Sequence, residues 1–209
     1  MKIEPFERYA EKYEEWFENN VFVYESELQA VRVLLPKKGI GMEIGIGTGR
    51  FAAPLGIKIG VEPANAMRTA AQERKLEVID GVAEALPFPD EHFDFALMVT
   101  TLCFVDDVEH AFQEAYRVIK PGGYFLNGFV DRDSFLGKIY EQHKKENVFY
   151  KSAQFYSVAE VIVYLEKTGF HDLKFTQTVF HRLEQMTEVE PVQEGYGKGA
   201  FIVVRARKM

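Results

Sequence analysis

Residues 42–50 read Met-Glu-Ile-Gly-Ile-Gly-Thr-Gly-Arg, and the architecture of the chain follows from this segment. An apolar run over residues 41–46 leads directly into three glycines at alternate positions, and a helical pattern follows. Glycines at such a turn let the backbone bend tightly and approach a ligand closely, because no side chain stands in the way. The dinucleotide fingerprint G-x-G-x-x-G would need a glycine at position 50, where this chain has Arg50. The spacing is G-x-G-x-G, which by itself also fits a purely structural turn.

On both sides of this turn, the sequence predicts how the rest of the chain folds. Short apolar runs alternate with helical patterns, which indicates a parallel sheet covered by helices on both faces. The apolar runs are 41–46, 57–61, 76–79, 93–99 and 124–130, and the helical patterns between them are 65–74 and 105–120. The runs 171–180 and 200–207 follow each other without a helix, which predicts an antiparallel pair at one edge of the sheet.

Helices are also predicted at the start of the chain and before its last strands. Aromatic residues recur at helical spacing between Phe6 and Phe17, and a second helical pattern covers about 24–35. Ser157 and Glu160 form a capping box that opens a helix ending at Gly169. The whole chain, 1–209, is predicted to be one domain with an N-terminal helical cap over 1–38.

Two acids accompany the glycines. Glu43 lies inside an apolar run, where a carboxylate is costly unless it is hydrogen-bonded or paired. It either reaches solvent or fixes the glycine turn and faces a cationic part of a ligand, and the neighbouring glycines favour the second interpretation. Glu62 ends the next run, where an acid commonly accepts hydrogen bonds from ribose hydroxyls. Alone, Glu62 also fits the acidic start of a helix, because Pro63 and Asn65 are typical of one.

Several further motifs stand in one order with these two acids, and together they carry a resemblance to a known family. They are Glu43–Gly49, Gly60–Pro63, Gly81–Asp90, His92–Asp94 and Arg117–Gly123. Over about residues 5–206, the chain resembles the class I S-adenosylmethionine-dependent methyltransferases, specifically the type 11 group that includes quinone-biosynthesis methyltransferases. The resemblance implies a Rossmann-like α/β fold with a seven-stranded, mostly parallel sheet, an antiparallel last strand and helices on both faces. It also implies S-adenosyl-L-methionine as the cofactor.

The resemblance further implies which residues bind this cofactor. They are Gly45, Gly47 and Gly49 around the methionine part, Glu62 followed by Pro63 at the ribose, Gly81, Val82 and Ala83 along the adenine, and Thr100 beside the methyl-transfer pocket. Family members usually carry Asp where this chain has Val82, so the adenine amino group must be bound differently. Backbone groups at Val82 and Ala83, or the carboxylate of Asp80, are the candidates. Tyr13 is the tyrosine we expect to cover the cofactor.

The sequence gives weaker signals for the residues that bind the methyl acceptor. Residues 131–157 are expected to cover the acceptor site, and His143 and Asp131 are the candidates for a catalytic role there. A general base is needed only if the nucleophile carries a proton of high pKa. The segment Thr100–Phe104 lacks the Asn/Asp-Pro-Pro-Tyr/Phe motif of enzymes that methylate amide or exocyclic amino nitrogens. We therefore expect a small, largely apolar or aromatic acceptor that is methylated at carbon or oxygen.

Composition excludes several other classes. The net charge of −7 disfavours a nucleic-acid partner, and the single cysteine, Cys103, excludes an internal disulfide and a CxxC zinc site. No apolar run is long enough for a membrane span, which predicts a cytoplasmic protein with no membrane insertion. No metal site and no oligomeric state is predicted. Two alternatives stay open: an NAD-dependent oxidoreductase, and a protein of this fold that binds the cofactor without catalysis.

Overall fold

The computed structural model describes residues 3–209, so the first two residues of the predicted cap lie outside the described range. A single mixed sheet forms the centre of the molecule. Its eight strands are β1 (Gly41–Ile44), β2 (Ile59–Val61), β3 (Glu77–Ile79), β4 (Phe93–Val99), β5 (Ile119–Val130), β6 (Phe170–Thr178), β7 (Gln193–Glu194) and β8 (Phe201–Lys208). They lie in the order β3-β2-β1-β4-β5-β8-β6-β7.

The predicted topology is confirmed. Strands β1 to β5 pair in parallel, and β8 runs antiparallel to both of its neighbours, β5 and β6. The eighth strand is β7, a two-residue addition that pairs with the end of β6. It carries no recognisable strand pattern in the sequence, because two residues are too few to show an alternation.

Helices cover both faces of the sheet. They are α1 (Glu4–Arg8), α2 (Ala10–Asn19), α3 (Val21–Leu34), α4 (Ala52–Leu55), α5 (Asn65–Glu73), α6 (Val108–Val118), α7 (Phe135–His143) and α8 (Val158–Thr168). The helices α3, α5, α6 and α8 lie close to the predicted patterns, the aromatic pattern from Phe6 to Phe17 is divided between α1 and α2, and α7 was not predicted. The capping box of α8 is present, and Gly169 ends that helix in the left-handed conformation. Among residues 3–209, no helix is long and apolar enough to cross a membrane.

Side chains from β4 show how the sheet joins two hydrophobic layers. Ala96 and Met98 are buried against α6 and α8, whereas Leu97 and Val99 are buried with side chains of α2 and α3. Strand β1 lies between β2 and β4, so the chain leaves it toward one side of the sheet and later returns on the other. Ligands of open α/β sheets bind at the carboxyl ends of the strands where the order reverses in this way.

The N-terminal helices are fastened to that same end of the sheet. The carboxylate of Glu14, on α2, accepts hydrogen bonds from Arg50 at 2.5 Å and from Arg74 at 2.6 Å. Arg74 also donates to the carbonyl of Thr48 at 2.9 Å, and the hydroxyl of Tyr24 donates to the carbonyl of Arg50 at 2.6 Å. Glu14 and Tyr24 of the cap therefore contact Arg50, Glu14 also contacts Arg74, and Arg74 in turn contacts Thr48. Together these bonds hold the helical cap and the glycine turn as one unit.

Replacing Glu14 by Ala should therefore destabilise the protein. The change leaves two partly buried guanidinium groups without their shared carboxylate, which should lower the free energy of unfolding by about 1–3 kcal/mol. Urea denaturation measures this loss. Glu15→Ala is the matched control, because Glu15 is a neighbour on the same helix that lacks these contacts; equal stability losses in the two variants would show that the Glu14 contacts contribute nothing.

Candidate functional site

The carboxyl ends of β1 and β2 are joined through the loop of residues 45–49, here called the glycine loop. The amides of Gly45 and Ile46 both donate to the carbonyl of Val61, at 2.9 and 3.0 Å. Glu62 adds a side-chain contact, because its Oε2 accepts from the amide of Gly47 at 3.0 Å and its Oε1 accepts from the amide of Ala64 at 2.9 Å. An ionised carboxylate has about four acceptor sites, so each oxygen of Glu62 can accept a further hydrogen bond.

All three glycines of the loop need the freedom that glycine provides. Gly45, Gly47 and Gly49 have φ values of +68°, +55° and +84°. At Gly45 the space is also occupied, because a Cβ there would lie 2.3 Å from Cγ2 of Thr101. Thr101 approaches this closely because its hydroxyl donates to the carbonyl of Gly45 at 3.1 Å. The end of β4 is thereby joined to the loop.

A pair of alanine substitutions separates the two demands on Gly45. Gly56 has a φ of +78°, and a Cβ at that position would meet nothing within 4 Å, so Gly56→Ala introduces only the left-handed strain of about 1–2 kcal/mol. Gly45→Ala introduces the same strain together with overpacking against Thr101, which should cost about 1–3 kcal/mol more. Thermal and urea unfolding measure the loss of stability in each variant. Equal losses in the two variants would show that the side chain of Thr101 leaves room for a Cβ at position 45.

Two buried acids lie beside this loop. Glu43 is 1% exposed, and its Oε2 has no hydrogen-bond partner among the described residues. Burial raises the pKa of Glu43 well above its usual range, and the charge of Glu62 raises it further. Burial also raises the pKa of Glu62, to about 7, although the amides of Ala64 and Gly47 favour its ionised form. Glu43 does not reach solvent, so the first of its two sequence interpretations is excluded.

Two cavities meet in front of the glycine loop. The smaller has a volume of about 40 Å³ and is lined by the loop, by Glu62 and by the end of β4. The larger has a volume of about 230 Å³ and is walled mainly by aromatic side chains. They share four lining residues, Phe6, Tyr13, Thr100 and Phe104, so the two cavities are adjacent.

Thr100 stands at this junction in a strained conformation. Its φ is +52°, which is rare for a β-branched residue, and its amide donates to the carbonyl of Gly128 at 2.8 Å. Backbone strain of this kind is maintained by the surrounding structure and clusters at functional sites. The family resemblance implies that Thr100, just past the end of β4, lies beside the methyl-transfer pocket.

Tyr13, also singled out in the sequence, lies over the glycine loop and lines both cavities. Its ring packs edge-on against Phe17, with ring centres 5.1 Å apart. Burial raises the pKa of Tyr13, and the charges of Glu62 and Glu43 raise it further, so its hydroxyl stays protonated and can donate a hydrogen bond.

The segment predicted to follow the adenine lies beyond β3. Val82 pairs with Ala85 in an isolated bridge, and Ala83 is buried. Asp80 has an exposed side chain and forms an ion pair with Arg68 at 3.0 Å. The same guanidinium donates to the carbonyls of Glu62 and Pro63 at 2.9 and 2.7 Å, which fixes the backbone after β2.

The structure does not bring the two acceptor-side candidates together in the larger cavity. His143 ends α7 with its side chain 62% exposed, 3.4 Å from the carboxylate of Glu146. Asp131 is buried at the end of β5, where it accepts hydrogen bonds from the amides of Asp133 and Val158. Asp131 thereby joins β5 to the start of α8, and burial raises its pKa. Neither residue lines the larger cavity.

A residue that the sequence reasoning missed does line it. Glu27, on α3, is 4% exposed, and burial raises its pKa to about 8. The signal was present in the sequence, because Glu27 falls between Val23 and Val31 at helical spacing and thus stands on the buried stripe of its helix.

Comparison with known proteins gives the same family that the motifs suggest. Residues 42–127 match the family described as "Methyltransferase domain". A crystal structure of a Thermotoga maritima protein, described as an S-adenosylmethionine-dependent methyltransferase and a possible histamine N-methyltransferase, is 55% identical; the match covers 99% of each chain with a TM-score of 0.96. An uncharacterized protein of Methanocaldococcus jannaschii is 47% identical over 204 residues, which are 98% of each chain.

More distant relatives agree with these matches. A demethylmenaquinone methyltransferase of Roseiflexus castenholzii is 36% identical over 98 residues, 42% of this chain and 41% of the relative. The glycine loop and Glu62 lie within the matched domain, and the 55% identical relative is similar along its whole length. On this evidence the chain belongs to the S-adenosylmethionine-dependent methyltransferases.

Proposed function

We propose that this protein binds S-adenosylmethionine along the glycine loop and transfers its methyl group to a small molecule held in the larger cavity. One observation carries the proposal. The small cavity beside Glu62 and the large aromatic cavity share Thr100 and Tyr13 in their linings, which gives a donor site and an acceptor site a common boundary. Two reactants held across such a boundary react as one complex, and positioning of this kind can remove much of the barrier.

The buried acids fit the cationic cofactor. Glu43 presents an unpartnered buried oxygen behind the loop, and Glu62 lines the small cavity directly. A buried carboxylate is costly without a positive or hydrogen-bonding partner, so Glu62 favours a ligand that carries positive charge. A cation bound near Glu43 would lower its raised pKa and favour its ionised form. When bound, S-adenosylmethionine supplies a methyl group already activated by its sulfonium. The chain's own residues then bind, orient and exclude water.

Within this proposal, the remaining acceptor sites of Glu62 bind the two ribose hydroxyls, while Gly45, Gly47 and Gly49 pass close to the methionine part. Val82 offers no carboxylate to the adenine amino group. We propose that backbone groups of Val82 and Ala83 bind it, since Asp80 is held by Arg68.

Substitution and pH both test the role of Glu62. Glu62→Gln should weaken binding of S-adenosylhomocysteine at least about tenfold, because hydrogen bonds to a charged group are worth roughly 1.5–3 kcal/mol each. In the parent protein, lowering the pH from about 8 to about 6 protonates Glu62 through its pKa of about 7, so affinity should fall about tenfold.

Isothermal titration calorimetry at both pH values measures these changes. Glu77→Gln is the control, because it removes an exposed carboxylate from the neighbouring strand β3. Equal affinity in the Glu62 variant and the parent protein would show that the ribose is bound elsewhere.

The proposed acceptor site uses both ends of the predicted domain. Residues 131–157 contribute Tyr140, Phe149, Tyr150 and Phe155 to the larger cavity, and the N-terminal helices contribute Tyr13, Trp16 and Phe17. We therefore propose that 131–157 is the acceptor-site cover and that the whole chain works as one domain. A cavity with aromatic walls and few polar groups suits a small, largely apolar or aromatic molecule.

Relatives and charge support a small-molecule acceptor. Curated relatives include demethylmenaquinone methyltransferases and a fatty-acid O-methyltransferase, all matched over part of their length. The net charge of −7 opposes binding to a phosphate backbone. Methylation at carbon or oxygen, a cytoplasmic location and the lack of a nucleic-acid substrate stay predictions.

Labelled methyl transfer tests the proposed function. The protein and labelled S-adenosylmethionine are incubated with two pools from the same cells, one of RNA plus DNA and one of small metabolites, with heat-denatured protein as the control. We expect label in the metabolite pool. Label in the nucleic-acid pool alone would contradict the acceptor class, and no transfer to either pool would favour a cofactor-binding protein without catalysis.

A further inference from the structure

The lining of the larger cavity includes a buried carboxyl group at a position where packing alone would favour an apolar side chain. Glu27 lines this cavity from α3, and its side chain is more than nine-tenths buried. Most other buried positions of α3 are apolar, Val23 and Val31 among them, and the buried hydroxyl of Ser26 has hydrogen-bond partners of its own. A carboxylic acid in such a position lowers stability compared with an apolar residue, so its presence calls for a partner.

No partner for this carboxyl comes from the described residues. None of them donates a hydrogen bond to it or forms an ion pair with it, and burial alone accounts for its raised pKa of about 8. Burial raises the pKa values of Tyr140 and Tyr150, and the charge of Glu27 raises both further, which places both phenols in its electrostatic range. These two side chains are near each other, with ring centres 5.0 Å apart. Lys12 also lines the cavity, but it is exposed on α2.

The walls around Glu27 suit an organic cation. Aromatic rings attract cations over their faces, and Tyr13, Trp16 and Phe17 line the same cavity. A carboxylate that meets a protonated nitrogen inside an aromatic cavity forms a charge-assisted hydrogen bond, which is stronger than a neutral one. A neutral hydroxyl could donate a hydrogen bond to the carboxylate, but it would gain neither the attraction between opposite charges nor the attraction from the rings.

We propose that Glu27 is the specificity-determining residue of the acceptor site and that it binds a protonated nitrogen of a small aromatic amine. This inference rests on the proposed function, because it uses the larger cavity as the acceptor site. Glu27 selects the molecule by its positive group, while the atom to be methylated lies toward Thr100, where the two cavities meet.

Matched amines and alcohols test the proposal. The protein is saturated with S-adenosylhomocysteine and titrated with three pairs: benzylamine and benzyl alcohol, 2-phenylethylamine and 2-phenylethanol, and tryptamine and tryptophol. The members of each pair have nearly the same shape and differ in the charged nitrogen. We expect at least one amine to bind about tenfold more tightly than its alcohol.

The variant Glu27→Gln should reduce this preference to within about threefold, since an amide has no charge to pair with the cation and only the weaker attraction of the rings is left. Glu25→Gln is the matched control, because Glu25 lies on the same helix outside the cavity. It should keep the preference. Thermal unfolding of both variants checks that they fold, and removing a buried acid should not lower the melting temperature.

Two failures are distinguishable. If S-adenosylhomocysteine itself does not bind, the proposed function fails. If it binds but no amine binds more tightly than its alcohol in the parent protein, the assignment to Glu27 is overturned without the need for any variant. A preference that survives Glu27→Gln would overturn it as well, and would assign the cation site to the aromatic rings alone.

Discussion

The carboxylate of Glu62 bridges the amides of Gly47 and Ala64, and the rest of the site depends on this bridge. One oxygen fixes the middle of the glycine loop, and the other fixes the chain after β2. The bridge places this acid in a buried position, which raises its pKa to about 7, and the two amides favour its ionised form. Without the bridge, Gly47 would lose its side-chain contact beside the small cavity, and Tyr13 would cover a loop whose middle is less firmly held.

Local signals in the sequence were enough to predict the fold. Ser157 and Glu160 cap α8 as their spacing indicates, and the glycine spacing after β1 marks the turn correctly, because both depend on residues close together in the chain. The antiparallel last strand was predictable from the missing helix before it. The short strand β7 was not, since it depends on pairing with β6 across a long connection.

The site was predictable only in part, for a physical reason. The positions of Glu43, Glu62 and Thr100 follow from the ends of parallel strands, which meet at one edge of the sheet. The acceptor side depends on helices and on residues 131–157 packing together over that edge, so no single segment reveals it. Glu27 and His143 show why the acceptor site was not predictable. Glu27, an acid on an apolar helix stripe, lines the cavity, whereas His143, a histidine in the expected covering segment, faces solvent.

The central claim is that Glu62 joins the glycine loop to the bound cofactor, and a crystal structure with S-adenosylhomocysteine tests it most directly. The distances from the two ribose hydroxyl oxygens to the Glu62 carboxylate are the measurement. We expect both within about 2.5–3.0 Å, with the amides of Gly47 and Ala64 still bound to the same oxygens. An adenosyl group placed away from Glu62, with the carboxylate bound only to backbone, would contradict the account.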